Sequence, residues 1–218
     1  ILPLKISTGP CRSTRIENVI SAHSMEKNAR ATDKLRQRIT KTARSFFRSE
    51  RSGPRSSHAL DRALIRAIED FTLRPGAQRT RGLLLLYGYS CGGKRIDRNA
   101  YCLAAAYELM HSFLLIHDDI IDGDTLRRGK PTLNAYLESV APSGMDRQGR
   151  KKIGIDLAII GGDLAADLAQ RLVFSTTLTA RKKQEALQYL AGVLRTTYLG
   201  QVLDILAVPH RPPPFAAQ

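Results

Sequence analysis

The chain contains 218 residues, of which 43% are hydrophobic, and it carries a formal net charge of +14 at neutral pH. This length is enough for one large domain or two small ones with a sizeable core. No apolar run approaches the roughly 20 residues that cross a bilayer. Cys11, Cys91 and Cys102 have neither the number nor the spacing of a disulfide framework or a zinc site. We therefore expect a protein without a transmembrane segment that works in a reducing compartment, the cytoplasm.

The positive charge is concentrated in the N-terminal part of the chain. Residues 1–81 hold 18 Lys and Arg against 7 Asp and Glu, whereas residues 82–218 hold 16 against 13. A basic arm of this kind is one feature of nucleic-acid-binding proteins. This one has few aromatic residues and no helix-turn-helix or RNA-binding motif. The sequence therefore favours a solvated basic face and no nucleic-acid partner.

Helical periodicity dominates the chain in sequence order, and strand alternation is nearly absent. Residues 25–48 are polar with scattered apolar positions, and the Ser, Gly and Pro residues of 48–58 predict a linker. A helix is predicted from about Ser57 to Leu73. Its apolar stripe consists of Leu60, Leu64, Ala67, Ile68 and Phe71. Further helices are predicted over about 79–89, 98–122, 132–140, 153–178 and 181–207.

These elements predict an all-α protein with long helices and short loops. Residues 1–55 are assigned to a basic N-terminal extension and linker, and residues 56–218 to one helical domain.

The stretch "LLIHDDIIDGDTLRRGKPT", residues 114–132, ends the predicted helix 98–122. Asp118 and Asp122 share a helix face with His111 and Leu114 and stand one turn apart, about 5.4 Å. Two carboxylates at this spacing repel each other unless a cation lies between them. Mg²⁺ commonly uses one or two carboxylates and completes its shell with phosphate oxygens and water. Because Arg127, Arg128 and Lys130 follow on the next loop, the stretch predicts a site where magnesium meets phosphate.

A simpler interpretation is a solvated helix end. In that case Asp118 and Asp119 face water, and Asp122 and Asp124 form a turn beside Gly123. The wholly apolar turn before the aspartates and the cationic residues after them favour the binding site.

The stretch "HDDIIDGDTLRRGKPT" resembles the first aspartate-rich motif of the trans-isoprenyl diphosphate synthases, D-D-x-x-D followed by R-R-G. The resemblance extends from about Leu73 to Leu206, through "ELMHSFLLIHDD", "GGDLAADLA" and "GQVLDIL". It implies the isoprenoid synthase fold, a bundle of long, mostly antiparallel helices around a central cavity, usually as a homodimer. It also implies Mg²⁺ as the cofactor, with isopentenyl diphosphate and an allylic diphosphate as substrates.

The resemblance assigns roles to the residues of the acidic motif. Asp118 and Asp122 would bind the magnesium ions that hold the allylic diphosphate, with Asp119 supporting them. Arg127 would contact the allylic diphosphate, and Arg128 the diphosphate of isopentenyl diphosphate.

Three further residues match positions that face the cavity in this family. His111 matches the family's His or Gln at the pocket of the second substrate. Gln201 and Asp204 match a polar pair on a later helix, with Asp204 near the metal shell. A hydrogen bond between helices is the alternative role for Gln201 and Asp204.

The family's upstream diphosphate clamp, G-G-K-R-x-R, has two candidate positions in this sequence. Lys94 and Arg95 lie in the literal match "GGKRID", but Lys94 is only 24 residues before Asp118, whereas the family places its lysine roughly forty residues before the first aspartate. We therefore interpret Lys94 and Arg95 as an ordinary basic turn. The segment at the family's distance is "RPGAQRTRG", in which Gln78 replaces the lysine and two arginines remain, Arg79 and Arg81. The glutamine is expected to weaken the binding of isopentenyl diphosphate by about 1 to 3 kcal/mol.

Product length in this family depends on the bulk of the side chains below the first aspartate. Leu114 lies one turn beneath Asp118, and Phe113 is the fifth residue before it, where short-chain members carry an aromatic residue. The resemblance therefore implies a C15 to C20 product, and Phe113→Ala is expected to lengthen it.

The sequence departs from the family pattern after "GQVLD", because a second D-D-x-x-D is missing. The domain of residues 56–218 therefore lacks the C-terminal part of the pattern, as expected for a fragment, a proteolysed form or a shortened homologue. Three functions stay open: an active prenyltransferase, a catalytically weak regulatory subunit of a heteromeric synthase, and a terpene cyclase. A cyclase needs no isopentenyl diphosphate site, so Arg79, Arg81, His111 and Arg128 argue against it.

Overall fold

A computed structural model describes residues 12–53 and 58–207, with side chains from residue 26 onward. This part of the chain folds into seven α-helices and one two-stranded hairpin. The helices are α1 (Arg12–Ser52), α2 (Ala59–Thr72), α3 (Thr80–Cys91), α4 (Arg98–Ile121), α5 (Leu133–Ser139), α6 (Arg147–Phe174) and α7 (Ala180–Leu206). The hairpin pairs β1 (Leu126–Arg127) with β2 (Lys130–Pro131) in antiparallel register. The predicted all-α class is confirmed.

Helix α4 is the centre of the bundle and contacts α1, α2, α3, α5 and α6. Small residues allow this close packing on several sides, since Ala100, Ala104 and Ala105 are fully buried. Gly82 of α3 approaches the same helix, because a Cβ at that position would lie 3.1 Å from the Ala104 carbonyl oxygen. The position of α4 in the bundle fixes the aspartates at its C-terminal end.

Helix α1 differs from the expected basic extension. Ile39, Ala43, Phe46 and Phe47 are buried in the same core as α4, and α1 contacts α2, α3 and α4. These four positions form one helical stripe. The many Lys and Arg residues of α1 conceal this stripe in the composition. The boundary expected at 55/56 lies among residues 54–57, which the structure does not describe.

Helix α6 begins and ends earlier than its predicted range of 153–178. Asp146 caps its N-terminus, because the side chain accepts a hydrogen bond of 2.8 Å from the Gly149 amide. At the other end, the hydroxyls of Ser175 and Thr176 donate to the carbonyls of Leu172 and Val173. Side chains that satisfy terminal backbone groups therefore set both ends of this helix.

Helix α7 lies mostly on the surface, with Leu190 as its buried residue. Large apolar side chains on it remain exposed, including Tyr189 (71%), Leu199 (63%) and Leu203 (63%). Across residues 12–53 and 58–207, the structure contains no helix with the length and apolar composition that a membrane span requires.

Gly162 of α6 packs directly on His117 of α4, and a Cβ at Gly162 would overlap the imidazole ring. His117 Nε2 lies 3.2 Å from the Ile159 carbonyl oxygen, so the ring has little room to move. We expect Gly162→Ala to lower the free energy of unfolding by about 1 to 3 kcal/mol, measured by urea denaturation. Gly192→Ala is the matched control, since open space surrounds Gly192 and alanine favours the helix. Equal stability of the two variants would contradict this packing.

Candidate functional site at the C-terminal end of helix α4

The acidic residues at the end of α4 differ strongly in burial. Asp119 is fully buried, the Asp118 side chain is 32% exposed, and Asp122 is exposed at the C-cap. The Asp122 amide donates a hydrogen bond of 2.9 Å to the Asp118 carbonyl, so helical geometry still links the two residues. Asp118 and Asp122 are therefore one turn apart on the same face, about 5.4 Å along the axis.

The hairpin after α4 turns the chain back toward these carboxylates. Its two-residue turn consists of Arg128 (φ 54°) and Gly129 (φ 72°), both left-handed, as a type I′ turn requires. The Thr132 amide donates to the Thr125 carbonyl at 3.0 Å and closes the hairpin base. This geometry places Arg127 above the aspartates and Arg128 at the turn.

Arg127 binds both adjacent aspartates. Its Nε donates to Asp119 Oδ1, and its Nη2 donates to Asp118 Oδ2 at 3.2 Å. Burial raises the pKa of Asp119 above its usual range, and the hydrogen bond and charge of Arg127 act in the opposite direction. The other oxygen, Asp119 Oδ2, is buried without a hydrogen-bond partner. Asp119 therefore anchors Arg127 from inside the fold, while Asp118 remains accessible from outside.

A small basic cavity of about 60 Å³ lies beside this acidic cluster. It is enclosed by the α2–α3 loop, the middle of α4 and the hairpin. Five arginines line it together with one carboxylate, Glu108. The lining residues that carry charge or are predicted to bind substrate are Arg74, Gln78, Arg79, Arg81, Glu108, His111, Arg127 and Arg128. Such an excess of guanidinium groups matches a diphosphate better than a neutral ligand.

The predicted clamp residues occupy different environments in this cavity. Gln78 is exposed at the edge of the cavity, and the backbone carbonyl of Gln78 accepts a hydrogen bond of 3.0 Å from Arg36 Nε. Arg79 is only 5% exposed and donates to the Thr72 carbonyl at 2.5 Å and to Thr40 Oγ1 at 3.3 Å. Burial lowers the pKa of Arg79, while Glu108 opposes that change. The donors of Arg79 thus bind protein groups, and Arg81 lies closer to the open part of the cavity.

Arg81 and His111 meet across the cavity, with Arg81 Nη1 2.9 Å from His111 Nε2. Burial, together with the smaller effect of the charges of Arg81, Arg128 and Arg127, lowers the pKa of His111 to about 4. The imidazole is therefore neutral at neutral pH and accepts the hydrogen bond from Arg81. It adds a polar contact to the cavity without adding charge.

This burial of a neutral histidine predicts a pH effect on stability. The pKa of His111 is lowered from 6.5 in the unfolded chain to about 4 in the fold, so the unfolded state binds more protons between these values. Acidification from pH 6.5 toward 4 should therefore lower the unfolding free energy, by at most about 1.4 kcal/mol per pH unit from this residue. Urea denaturation at pH 7 and pH 5 measures the loss. His111→Gln should reduce the difference between the two pH values, and an unchanged difference would contradict the assignment.

Gln201 links the later helix α7 to the acidic cluster, since its Nε2 donates to Asp118 Oδ1 at 3.2 Å. Asp204, one turn further along α7, is exposed. Within residues 12–53 and 58–207, no three His, Cys, Asp or Glu side chains lie close enough together to hold one metal ion. The structure therefore does not assemble Asp118, Asp119, Asp122 and Asp204 as a cluster, because Asp119 is buried against Arg127 and Asp204 lies on the surface of α7.

The donors at the end of α4 still fit magnesium. Asp118 and Asp122 offer two carboxylates on one face, which is the number of protein ligands that Mg²⁺ commonly takes beside substrate phosphates and water. The unpartnered Asp119 Oδ2 is a further oxygen beside them.

Phe113 is buried in the protein interior, one turn from His117 and beside α7. Its ring is 4.9 Å from the ring of His117 and 6.3 Å from that of Tyr198. Leu114 is partly buried against the core. Lys94 and Arg95 precede α4, and the roughly 20 helical residues between them and Asp118 correspond to about 30 Å. The basic turn is thus at the opposite end of α4 from the aspartates.

Sequence reasoning missed two charged residues of the cavity, Glu108 and Arg74. Glu108 lies on α4 among apolar residues, ten positions before Asp118, and a lone charge in such a helix was the available signal. Arg74 donates to the Pro131 carbonyl at 2.6 Å and stacks over Phe71 at 4.6 Å. Arg74 thereby connects the α2–α3 loop to the hairpin, a contact that no sequence pattern indicates.

Comparison with known proteins identifies the family. A protein-family sequence model described as Polyprenyl synthetase matches residues 62–212, more than half of the chain. A short chain isoprenyl diphosphate synthase of Methanothermobacter thermautotrophicus is 40% identical over 142 residues, which cover 65% of this chain and 38% of that protein.

Two solved structures are similar in fold. A geranylgeranyl pyrophosphate synthetase of Geoglobus acetivorans is 25% identical with a TM-score of 0.59, over 78% of this chain and 48% of that chain. A Corynebacterium glutamicum geranylgeranyl pyrophosphate synthase, complexed with isoprenyl diphosphate and magnesium, is 24% identical with a TM-score of 0.59, over 68% and 43%. The chain spans less than half the length of each of these relatives. The match over residues 62–212 nevertheless shows that the chain belongs to the polyprenyl synthetase family, the trans-isoprenyl diphosphate synthases.

Proposed function

We propose that the protein takes part in head-to-tail prenyl transfer, condensing an allylic diphosphate with isopentenyl diphosphate to a C15 to C20 prenyl diphosphate. One observation carries this proposal: the hairpin brings the aspartates of α4 and the arginine-lined cavity together, with Arg127 shared between them. This arrangement supports a site for one metal-bound diphosphate beside a site for a second anion.

Asp118 and Asp122 would hold magnesium, with Asp119 supporting them through Arg127. Bound there, magnesium supplies Lewis-acid neutralisation of the leaving diphosphate. Arg127 would move from Asp118 onto an oxygen of the allylic diphosphate and stabilise its negative charge as the carbon–oxygen bond breaks. Magnesium in the Corynebacterium relative supports this use of the metal.

Arg81 and Arg128 would bind the second diphosphate, with His111 and Gln78 as neutral hydrogen-bonding groups. Isopentenyl diphosphate would then present its double bond to the allylic carbon. The allylic carbon–oxygen bond breaks, diphosphate leaves with the electron pair, and the double bond attacks the allylic cation to form the new carbon–carbon bond. The departing diphosphate would then accept the proton lost from the isopentenyl unit. The buried side chains around Phe113 would keep water from the cation.

Product length is expected to depend on Phe113. Phe113→Ala removes bulk beside His117 and Tyr198 and should shift the products to longer chains, measured by chromatography of the dephosphorylated prenols. Leu114→Ala is the companion variant one position nearer Asp118. An unchanged product distribution in Phe113→Ala would contradict the assignment.

An activity measurement on the purified chain tests the function. The protein is supplied with labelled isopentenyl diphosphate, an allylic diphosphate and Mg²⁺, and prenyl diphosphate is measured with and without EDTA. Magnesium-dependent product supports an active synthase, which we propose to be a cytoplasmic homodimer. Product that appears only after a full-length synthase is added would instead favour a regulatory subunit. Cyclised hydrocarbon formed without isopentenyl diphosphate would favour a terpene cyclase.

A further inference from the structure

Glu108 is a buried carboxylate that does not belong to the predicted metal ligands, and its partners are Gly82 and Arg79. It is 7% exposed, and it lies on α4 at the wall of the basic cavity. Its Oε1 accepts a hydrogen bond of 2.8 Å from the Gly82 amide, and its Oε2 is 3.8 Å from Arg79 Nη1. A buried charge of this kind is retained only where partners compensate its desolvation.

These two contacts hold the start of α3, next to Gln78 and Arg81, which are predicted to bind substrate. Gly82 lies in the first turn of α3, where backbone amides have no helical partner, so Glu108 satisfies one of them. Arg79 is the N-cap of that helix in a left-handed conformation, φ 52°, and its side chain turns inward to Glu108, Thr72 and Thr40. Gln78 directly precedes this anchored stretch, and Arg81 lies within it, between Arg79 and Gly82.

We propose that Glu108 is a positioning residue that acts through Arg79 to hold Arg81 and Gln78 in the geometry that binds a diphosphate. This inference rests on the proposed function, because it names what maintains the second anion site. The burial of Arg79 gives it a positioning role here and leaves the direct contacts to Arg81 and Arg128.

The test measures binding of inorganic diphosphate to the full chain by calorimetry, first in EDTA and then with Mg²⁺. Glu108→Gln keeps the volume and the acceptor for Gly82 but loses the charge opposite Arg79. We expect its diphosphate affinity in EDTA to fall about tenfold, while binding in Mg²⁺ at Asp118 and Asp122 changes little. A purely structural role would weaken both equally.

Glu50→Gln is the matched control, since Glu50 also pairs with an arginine of another helix, Arg171 at 2.5 Å, away from the cavity. It should leave diphosphate binding in EDTA unchanged. Arg79→Lys keeps the positive charge but loses the forked donors of the guanidinium group, so it should weaken diphosphate binding as Glu108→Gln does. Because the two residues act together, the double variant should bind diphosphate as well as the more impaired of the two single variants.

The positioning role would be overturned if Glu108→Gln and Arg79→Lys both kept the wild-type affinity for diphosphate in EDTA while Arg81→Gln lost it. That result would leave the proposed function intact. Failure of the wild-type chain to bind diphosphate in either buffer would overturn both.

Discussion

Asp118→Asn should lower prenyl transfer by about 1,000-fold or more, the largest single loss that we expect. Asn keeps the size of the side chain and an oxygen that accepts the hydrogen bond from Gln201, but it removes the negative charge that would hold magnesium. The lost charge affects the transition state most, because diphosphate develops its full charge as the allylic bond breaks. The measurement is kcat with saturating substrates and Mg²⁺.

Asp156→Asn is the control for this prediction. Asp156 is a half-exposed aspartate of α6 that pairs with Lys152 at 2.7 Å, so its charge is balanced and distant in sequence from the acidic motif. Its activity should match that of the wild type. Comparable activities for Asp118→Asn and Asp156→Asn would contradict the prediction that Asp118 binds magnesium.

Gln78→Lys should improve the use of isopentenyl diphosphate, with KM falling by about tenfold. Gln78 is exposed at the edge of the cavity, so a lysine there has room to reach the anion. A charge-assisted hydrogen bond replaces a neutral one, a difference of about 1 to 3 kcal/mol, or about 5-fold to 150-fold in affinity. The KM for the allylic substrate should stay nearly constant, because Gln78 lines the cavity proposed for the second anion.

Lys94→Gln is the control, because it removes a lysine from the other candidate clamp. Its ammonium group is 5.9 Å from the Tyr89 ring, at the far end of α4 from the aspartates. KM for isopentenyl diphosphate should not respond to it. If Lys94→Gln raised that KM and Gln78→Lys left it unchanged, "GGKRID" would be the functional clamp and our alignment of the two segments would be wrong.

Much of the fold follows from the apolar periodicity of the sequence. The predicted helix 98–122 agrees with α4 to within one residue at its C-terminal end, since Asp97 supplies a cap and Gly123 a left-handed stop. Helix α1 was concealed, because Ile39, Ala43 and Phe47 are few among many basic residues, and a stripe of this kind gains its stability only from tertiary packing.

The candidate site was predictable where the chemistry lies in one short motif. Asp118, Asp119 and Arg127 stand close together in the sequence and are joined by hydrogen bonds in the fold. The part that was not predictable depends on contacts between distant segments. Arg79 and Arg81 stand two positions apart in one basic segment, and only the structure shows that Arg79 is buried beside Glu108 while Arg81 is exposed.

The most direct test of the central claim is a crystal structure of the full chain with magnesium and a non-cleavable allylic diphosphate analogue. We predict magnesium bound by Asp118 and Asp122, with Arg127 turned from Asp118 onto a diphosphate oxygen. A diphosphate bound elsewhere, with Arg127 still paired to Asp118 and Asp119 and no metal beside them, would contradict the account.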